Sequence, residues 1–147
     1  MHEIESWIVE VAEAQNIKIR KLSIGEAQHV LRETMTRYVK NDAHSLALWM
    51  DLSKPVDEYY DRNLVKFADI VPSKTGPCWL VPETDAPNAI DLPVYEIDVS
   101  EIGRLINDCF RFEYYVVAHD FSWFVAETHH DQYYVCRETD SLPNFVD

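Results

Sequence analysis

The C-terminal part of the chain contains three runs of β-forming residues that are separated by short polar turns. The runs cover residues 112–118, 122–128 and 132–137, and we expect turns at His119-Asp120 and His130-Asp131. Runs of this length with short turns between them are typical of consecutive antiparallel strands. The sequence therefore predicts a C-terminal three-stranded meander, which restricts the fold to one that contains a mixed or antiparallel sheet.

The first of these runs has apolar side chains on both faces of the expected strand. Residues 114–117 read Tyr, Tyr, Val and Val, and successive side chains in a strand point to opposite faces. Either both faces of the sheet are covered by other elements, or one face is a binding surface. The pattern allows both interpretations.

Two amphipathic helices are predicted before the sheet. Apolar residues fall at helical spacing over residues 3–15, with glutamates turned the other way. Ser23 and Glu26 have the spacing of a capping box, and a continuous apolar stripe follows over residues 27–39. The second of these helices carries the clearer start signal.

The middle of the chain predicts further strands and two further helices. Asp98 and Glu101 have the spacing of a second capping box, which predicts that a helix begins there. An earlier helix is expected to end before Pro72. Residues 46–50 form a short apolar block that favours a strand but also allows a helical turn. The remaining segments are a helix at 57–68, strands at 78–81 and 94–97, and an exposed, acidic, proline-rich loop at 82–93. We therefore predict an α+β fold.

Length and composition indicate one α+β domain over residues 1–147, since 47% of the residues are apolar. The start of the chain has no basic leader, and no apolar run reaches the roughly 18 residues that span a bilayer. We therefore expect a cytoplasmic protein with no membrane partner. Cys78, Cys109 and Cys136 are widely spaced and odd in number, so we expect reduced thiols.

The negative charge is concentrated in the second half of the chain. Residues 1–75 carry 12 acidic and 10 basic side chains, whereas residues 76–147 carry 14 acidic and 3 basic side chains. A net charge of −13 argues against binding to nucleic acid or to anionic membranes, because both need a basic patch. It suits a basic protein partner, although it also suits solubility alone.

The sequence offers one weak candidate for metal chemistry and no cofactor motif. Its 3 glycines form no phosphate loop, so we expect no cofactor. If the middle strand of the meander continues, Glu127, His129 and Asp131 share one face and could hold a divalent metal in a small metal-dependent hydrolase. Alternatively, His129-His130-Asp131 forms a polar turn or contacts a partner.

Carboxylates and aromatic residues of the second half form the predicted partner surface. The aromatic residues also suit the core of a sheet, so their role is left open. As anchors, they would lie within a ring of carboxylates, because tyrosine and tryptophan are enriched at interface hot spots. The predicted partner-binding residues are Glu83, Asp85, Asp91, Glu113, Trp123, Glu127, Asp131 and Tyr133.

Residues 112–116 and 122–131, which read FEYYV and SWFVAETHHD, resemble the ending of small bacterial α+β proteins of unknown function. Similar chains occur among the immunity proteins of polymorphic toxin systems. The resemblance covers about the last quarter of the chain and implies an intracellular inhibitor of a toxin domain, commonly a basic nuclease. It implies no catalytic residue.

We therefore expect a non-enzymatic binding protein, specifically an immunity protein that neutralises a basic bacterial toxin. Two alternatives belong to other classes. One is the metal-dependent hydrolase described above, and the other is a structural subunit that forms homo-oligomers through an apolar sheet face. The sequence does not define the oligomeric state.

Overall fold

The structure is a computed structural model that describes residues 3–39, 52, 57–59, 66–84, 86, 88–109, 112–128 and 132–137. The described residues form four α-helices and seven β-strands. The helices are α1 (Glu3–Gln15), α2 (Ile24–Tyr38), α3 (Phe67–Ile70) and α4 (Val99–Asp108). The strands are β1 (Arg20–Lys21), β2 (Asp57–Tyr59), β3 (Pro77–Pro82), β4 (Tyr95–Asp98), β5 (Tyr114–Ala118), β6 (Trp123–Glu127) and β7 (Tyr133–Arg137).

All seven strands belong to one sheet with the order β1-β4-β3-β5-β6-β7-β2, and every described pair is antiparallel. Strands β5, β6 and β7 form the predicted meander. The sheet extends beyond the meander on both sides, so it is larger than the meander alone. The α+β class and the two N-terminal helices are confirmed.

The predicted helix at 57–68 is wrong at its beginning, because Asp57–Tyr59 is an edge strand that pairs with β7. Tyr59 lies opposite Tyr133, and the Arg137 guanidinium binds the Asp57 carboxylate at 2.9 Å. These contacts join residues that are far apart in the sequence, so the spacing of apolar residues within the segment cannot indicate them. A helix does form at α3 and ends before Pro72, as predicted. The strand predicted at 46–50 lies outside the described residues.

Capping starts α2 and α4 in different ways. Ser23 accepts a hydrogen bond from the Glu26 amide at 3.2 Å, and the Glu26 carboxylate accepts from the Ser23 amide at 3.0 Å, so the predicted capping box is confirmed. Asp98 caps α4 by accepting from the Ser100 amide at 3.0 Å. Glu101 instead binds the Arg104 guanidinium at 2.7 Å, so among the described residues only the half of the predicted capping box that Asp98 contributes is formed.

The sheet lies between two layers of helix. On one face, α1, α3 and α4 pack against Tyr114, Val116 and the residues in register with them. On the other face, α2 packs against Tyr115 and Val117. All five residues of β5 are buried, which explains the consecutive apolar residues of this strand. Both faces of the central strands are covered, so these strands offer no open face for the homo-oligomer alternative.

The edges of the sheet are short and charged. Strand β1 consists of exposed Arg20 and Lys21, and the other edge strand contains exposed Asp57 and Glu58. Short charged edges disfavour the addition of a strand from another chain. Cys78, Cys109 and Cys136 are free thiols, as expected. Within the described residues, no helix has the length and apolar character needed to cross a membrane.

Candidate functional site

The fold divides the predicted partner-binding residues between the two faces of the sheet. Glu83 and Glu113 meet where β3 leads out of the sheet and β5 begins, on the face that α2 covers. Glu127 and Tyr133 are paired on neighbouring strands, on the face that α1 and α4 cover. The two groups cannot contact the same part of a partner, because successive residues of a strand point to opposite faces.

Glu83 and Glu113 form a carboxylate pair with a tyrosine beside it. The Glu83 amide donates to the Glu113 carbonyl at 2.9 Å, and the Tyr115 hydroxyl donates to Glu83 Oε1 at 2.8 Å. The two carboxyl groups also hydrogen-bond to each other. Two carboxylates hydrogen-bond in this way only when one of them holds a proton.

Burial raises the pKa of Glu83 to about 7, and the hydrogen bond to Glu113 and the charge of Glu113 act in the same direction. The Tyr115 hydrogen bond acts in the opposite direction, because it stabilises the carboxylate. The pair therefore shares a proton that it exchanges near neutral pH. A cation beside the two carboxyl groups would favour the loss of this proton, because an opposite charge stabilises the ionised form.

A second site lies on the opposite face, where a cavity of about 590 Å³ opens between α3, the C-terminal half of α4 and the sheet. We call it the α3–α4 pocket. Its apolar walls include Phe67, Ile106 and Phe112, and its inner wall includes Tyr114, Glu127 and Tyr133. The volume lies within the range of roughly 300–1,000 Å³ that is usual for small-molecule sites.

The Tyr114 hydroxyl in the inner wall is buried and forms no well-formed hydrogen bond with a described residue. Burial raises the pKa of Tyr114 well above its usual value, and the charge of Glu127 and the loose polar contacts of the hydroxyl with Glu127 and Tyr133 add to this effect. The hydroxyl is therefore neutral and keeps its proton. A buried polar group without a good partner costs about 1–3 kcal/mol, so its retention needs a reason.

Trp123 and Tyr133 were named as partner-binding anchors, with a role in the core left open, and the structure places both in the core. Their exposed fractions are 5% and 9%, and both pack in the layer beneath α1 and α4. The alternation of β6 and β7 turns these side chains inward together with Val125 and Val135. Tyr133 contributes to the α3–α4 pocket instead.

The other predicted site residues have separate positions. Asp91 is exposed at the end of a 3-10 turn over Ala89–Asp91, where Asn88 Nδ2 donates to Asp91 Oδ2 at 3.3 Å. Asp85, His129 and Asp131 lie outside the described residues, so the structure leaves the metal alternative untested. In the described part of the chain, no three His, Cys, Asp or Glu side chains are grouped as a metal site would require.

Tyr114 and Tyr115 are functional candidates that the sequence reasoning missed. Both were noted only as apolar residues on the two faces of the first strand of the meander, and both have buried rings. Each hydroxyl, however, reaches a carboxylate region at the same end of the sheet, on opposite faces. A signal was available, because acidic residues stand at strand ends in register with these tyrosines, as in the pairing of Tyr114 with Glu127.

Two ion pairs join the first half of the chain to the acidic second half. Arg20 in β1 binds Glu96 of β4 at 3.0 Å and also Glu26 at 3.3 Å. Arg137 binds Asp57 at 2.9 Å. Of the carboxylates of the second half, Glu96 is therefore offset by a base of the first half, whereas Arg137 of the second half pairs with a carboxylate of the first.

Comparison with known proteins gives a family but no activity. Neither the curated proteins nor the solved structures contain a match to this chain. The sequence model of one family matches residues 2–144, which is nearly the whole chain. The chain therefore belongs to the family of unknown function DUF6756.

Proposed function

We propose that the protein is a non-enzymatic binding protein that neutralises a basic bacterial toxin domain inside the cell, as an immunity protein does. The observation that carries this proposal is the carboxylate pair of Glu83 and Glu113, which shares a proton near neutral pH. The pair lies at an end of the sheet where both side chains are partly exposed. A cationic side chain of a partner can reach it there.

A lysine or arginine between the two carboxyl groups would replace the shared proton. Charge pairs in a partly buried position interact more strongly than pairs in open solvent, because the effective dielectric constant is lower. Arginine suits this position particularly well, since its planar guanidinium can bind two carboxylate oxygens at once. The attraction would also speed the approach of a basic partner to a chain of net charge −13.

This arrangement makes a specific prediction about protons. The arriving cation lowers the pKa of Glu83 from its value of about 7, so the complex releases about half a proton when it forms at pH 7 and more when it forms at pH 6. An ordinary surface ion pair releases almost none at this pH, because its carboxylate is already ionised. Proton release therefore distinguishes the pair from the general acidic surface.

The experiment begins with capture of partners from the native cell at low salt, with the wild-type protein as bait. The test variant is Glu83→Gln/Glu113→Gln, and the control is Glu10→Gln/Glu13→Gln, which removes at least as much charge from exposed positions of α1. We expect a basic partner that the test variant loses and the control retains. Calorimetry of the purified pair, in two buffers with different ionisation heats, then counts the released protons.

Two results would contradict the proposal. One is equal loss of the partner by the test variant and the control, since this would reduce the effect to overall charge. The other is an affinity that is independent of salt, because paired charges across an interface are screened by ions.

A further inference from the structure

The α3–α4 pocket combines a cavity of small-molecule size with an inner wall that is polar. Glu127 provides a negative charge there, and the hydroxyl of Tyr114 is buried without a well-formed hydrogen bond to a described residue. The remaining walls are largely apolar and include the rings of Phe67 and Phe112. A pocket with apolar walls and a few convergent polar groups is the usual form of a small-molecule site.

We propose that the α3–α4 pocket binds a small organic amine in its ammonium form, with the ammonium group at Glu127 and the Tyr114 hydroxyl and the apolar body against Phe67 and Phe112. The ammonium donates to the Glu127 carboxylate and to the Tyr114 oxygen. These are charge-assisted hydrogen bonds, which are stronger than neutral ones. This site is independent of the carboxylate pair, because it lies on the opposite face of the sheet.

The sign of the charge at the inner wall selects a cation. Tyr114 stays neutral because its pKa is raised, so the hydroxyl presents an oxygen that accepts a hydrogen bond. Arg104 also lines the pocket, but Glu101 binds its guanidinium at 2.7 Å. Lys66 is exposed, so water screens its charge.

The test uses three probes of similar shape and different charge: phenethylamine, phenethyl alcohol and hydrocinnamate. Each is titrated into the full-length protein at neutral pH up to low millimolar concentrations, with calorimetry and amide chemical shifts as readouts. We expect phenethylamine to bind and to change the amide chemical shifts of Tyr114, Glu127 and Cys109. We expect the alcohol to bind much more weakly and the anionic hydrocinnamate not to bind.

Two conservative variants test the named contacts. Tyr114→Phe keeps the ring and removes the hydroxyl, and Glu127→Gln keeps the shape and removes the charge. Loss of one hydrogen bond to a charged group weakens binding about tenfold or more, so we expect at least this change from each variant. The control is Tyr38→Phe, on the other face, where the hydroxyl donates to the Phe121 carbonyl at 2.8 Å. This control should leave the affinity for phenethylamine unchanged.

Stability without any probe provides a second readout of Tyr114. If the hydroxyl awaits a ligand, Tyr114→Phe removes an uncompensated buried polar group and raises the melting temperature or leaves it unchanged. Tyr38→Phe removes a satisfied hydrogen bond and lowers it. Equal destabilisation by both variants would overturn the proposal, because it would show that the Tyr114 hydroxyl is already satisfied in the free protein.

Binding results decide the remaining outcomes. No binding of phenethylamine at low millimolar concentration overturns the proposal. Equal binding of the amine and hydrocinnamate also overturns it, since the pocket would then not select a cation. An affinity that neither Tyr114→Phe nor Glu127→Gln reduces would place the amine elsewhere and has the same consequence. Failure of this test leaves the carboxylate pair unaffected, because Glu83 and Glu113 line no part of the pocket.

Discussion

Replacement of Glu83 by glutamine should stabilise the protein above neutral pH. In the folded chain the pKa of Glu83 is about 7, whereas the ordinary value is 4.5. The folded state therefore holds the proton more tightly than the unfolded state. Between these two values, stability falls as the pH rises, because the unfolded chain releases its proton first. Above pH 7 the folded protein bears the whole cost of an ionised, partly buried carboxylate.

The size of the effect follows from the two pKa values. The interval from 4.5 to about 7 corresponds to at most about 3.4 kcal/mol, at 1.36 kcal/mol for each pH unit. Glu83 is partly exposed, so solvent screens the interaction and we expect about 1–2 kcal/mol. Glutamine carries no charge and can still hydrogen-bond to Tyr115. Glu83→Gln should therefore gain about 1–2 kcal/mol at pH 8, or about 3–6 °C in Tm.

Urea unfolding followed by tryptophan fluorescence measures this gain at pH 5 and pH 8. The control is Glu10→Gln, which removes one charge from an exposed position of α1 and so reports the effect of overall charge. We expect Glu83→Gln to exceed the control at pH 8 by the stated amount, and by less than about half of it at pH 5. Equal effects of the two variants at pH 8 would refute the reasoning, and so would a difference that does not change with pH.

Three further predictions concern the fold, and equilibrium unfolding in urea tests each of them. Ser23→Ala removes the N-cap of α2 and should cost about 1 kcal/mol, whereas a cost near zero would contradict the capping role. Gly76→Ala should cost about 1–2 kcal/mol of stability, because the φ angle of Gly76 is 100° and alanine rarely adopts it. Gly103→Ala should stabilise the protein by up to about 1 kcal/mol, because Gly103 lies inside α4 with open space around its Cβ position. Effects of the same sign would contradict this account. Leu105→Ala should cost about 2–5 kcal/mol, because this side chain is fully buried between α4 and the sheet, and a cost below about 1 kcal/mol would place it outside the core.

The meander and the two N-terminal helices were predictable because their signals are local. The turns between β5, β6 and β7 occur within a few residues, and the Ser23–Glu26 capping box needs only four consecutive positions. Each of these signals is present in the chain before any tertiary contact forms. For these elements, local preference and the final fold agree.

The edge strand β2 and the size of the sheet were not predictable in the same way. Asp57–Tyr59 has three residues, and its extended conformation depends on hydrogen bonds to β7, about 75 residues later in the chain. The exposed sequence Asp-Glu-Tyr has no strand pattern of its own. The conformation of a short edge strand depends on the strand with which it pairs. The pattern along the chain therefore included Asp57–Tyr59 in the predicted helix at 57–68.

The site was predicted in its composition but not in its arrangement. Glu83, Glu113 and Glu127 were all selected as carboxylates of the acidic second half of the chain. Which of them meet depends on the register and on the face of the sheet, and a shift of one residue exchanges the faces. The observed register joins Glu83 to Glu113 and sends Glu127 to the opposite face. Neither the shared proton nor the α3–α4 pocket follows from composition alone.

The acidic half of the chain divides into carboxylates that stabilise the fold and carboxylates that destabilise it. Asp98 and Asp120 belong to the first class, because each accepts hydrogen bonds from a nearby serine and has a lowered pKa. Glu83 belongs to the second, since its raised pKa means that ionisation near Glu113 costs stability. Carboxyl groups with strongly shifted pKa values are common at functional sites. A stability cost of this kind therefore points to a binding site, where a partner relieves the cost. The total charge of −13 therefore says less about function than the position of this one pair.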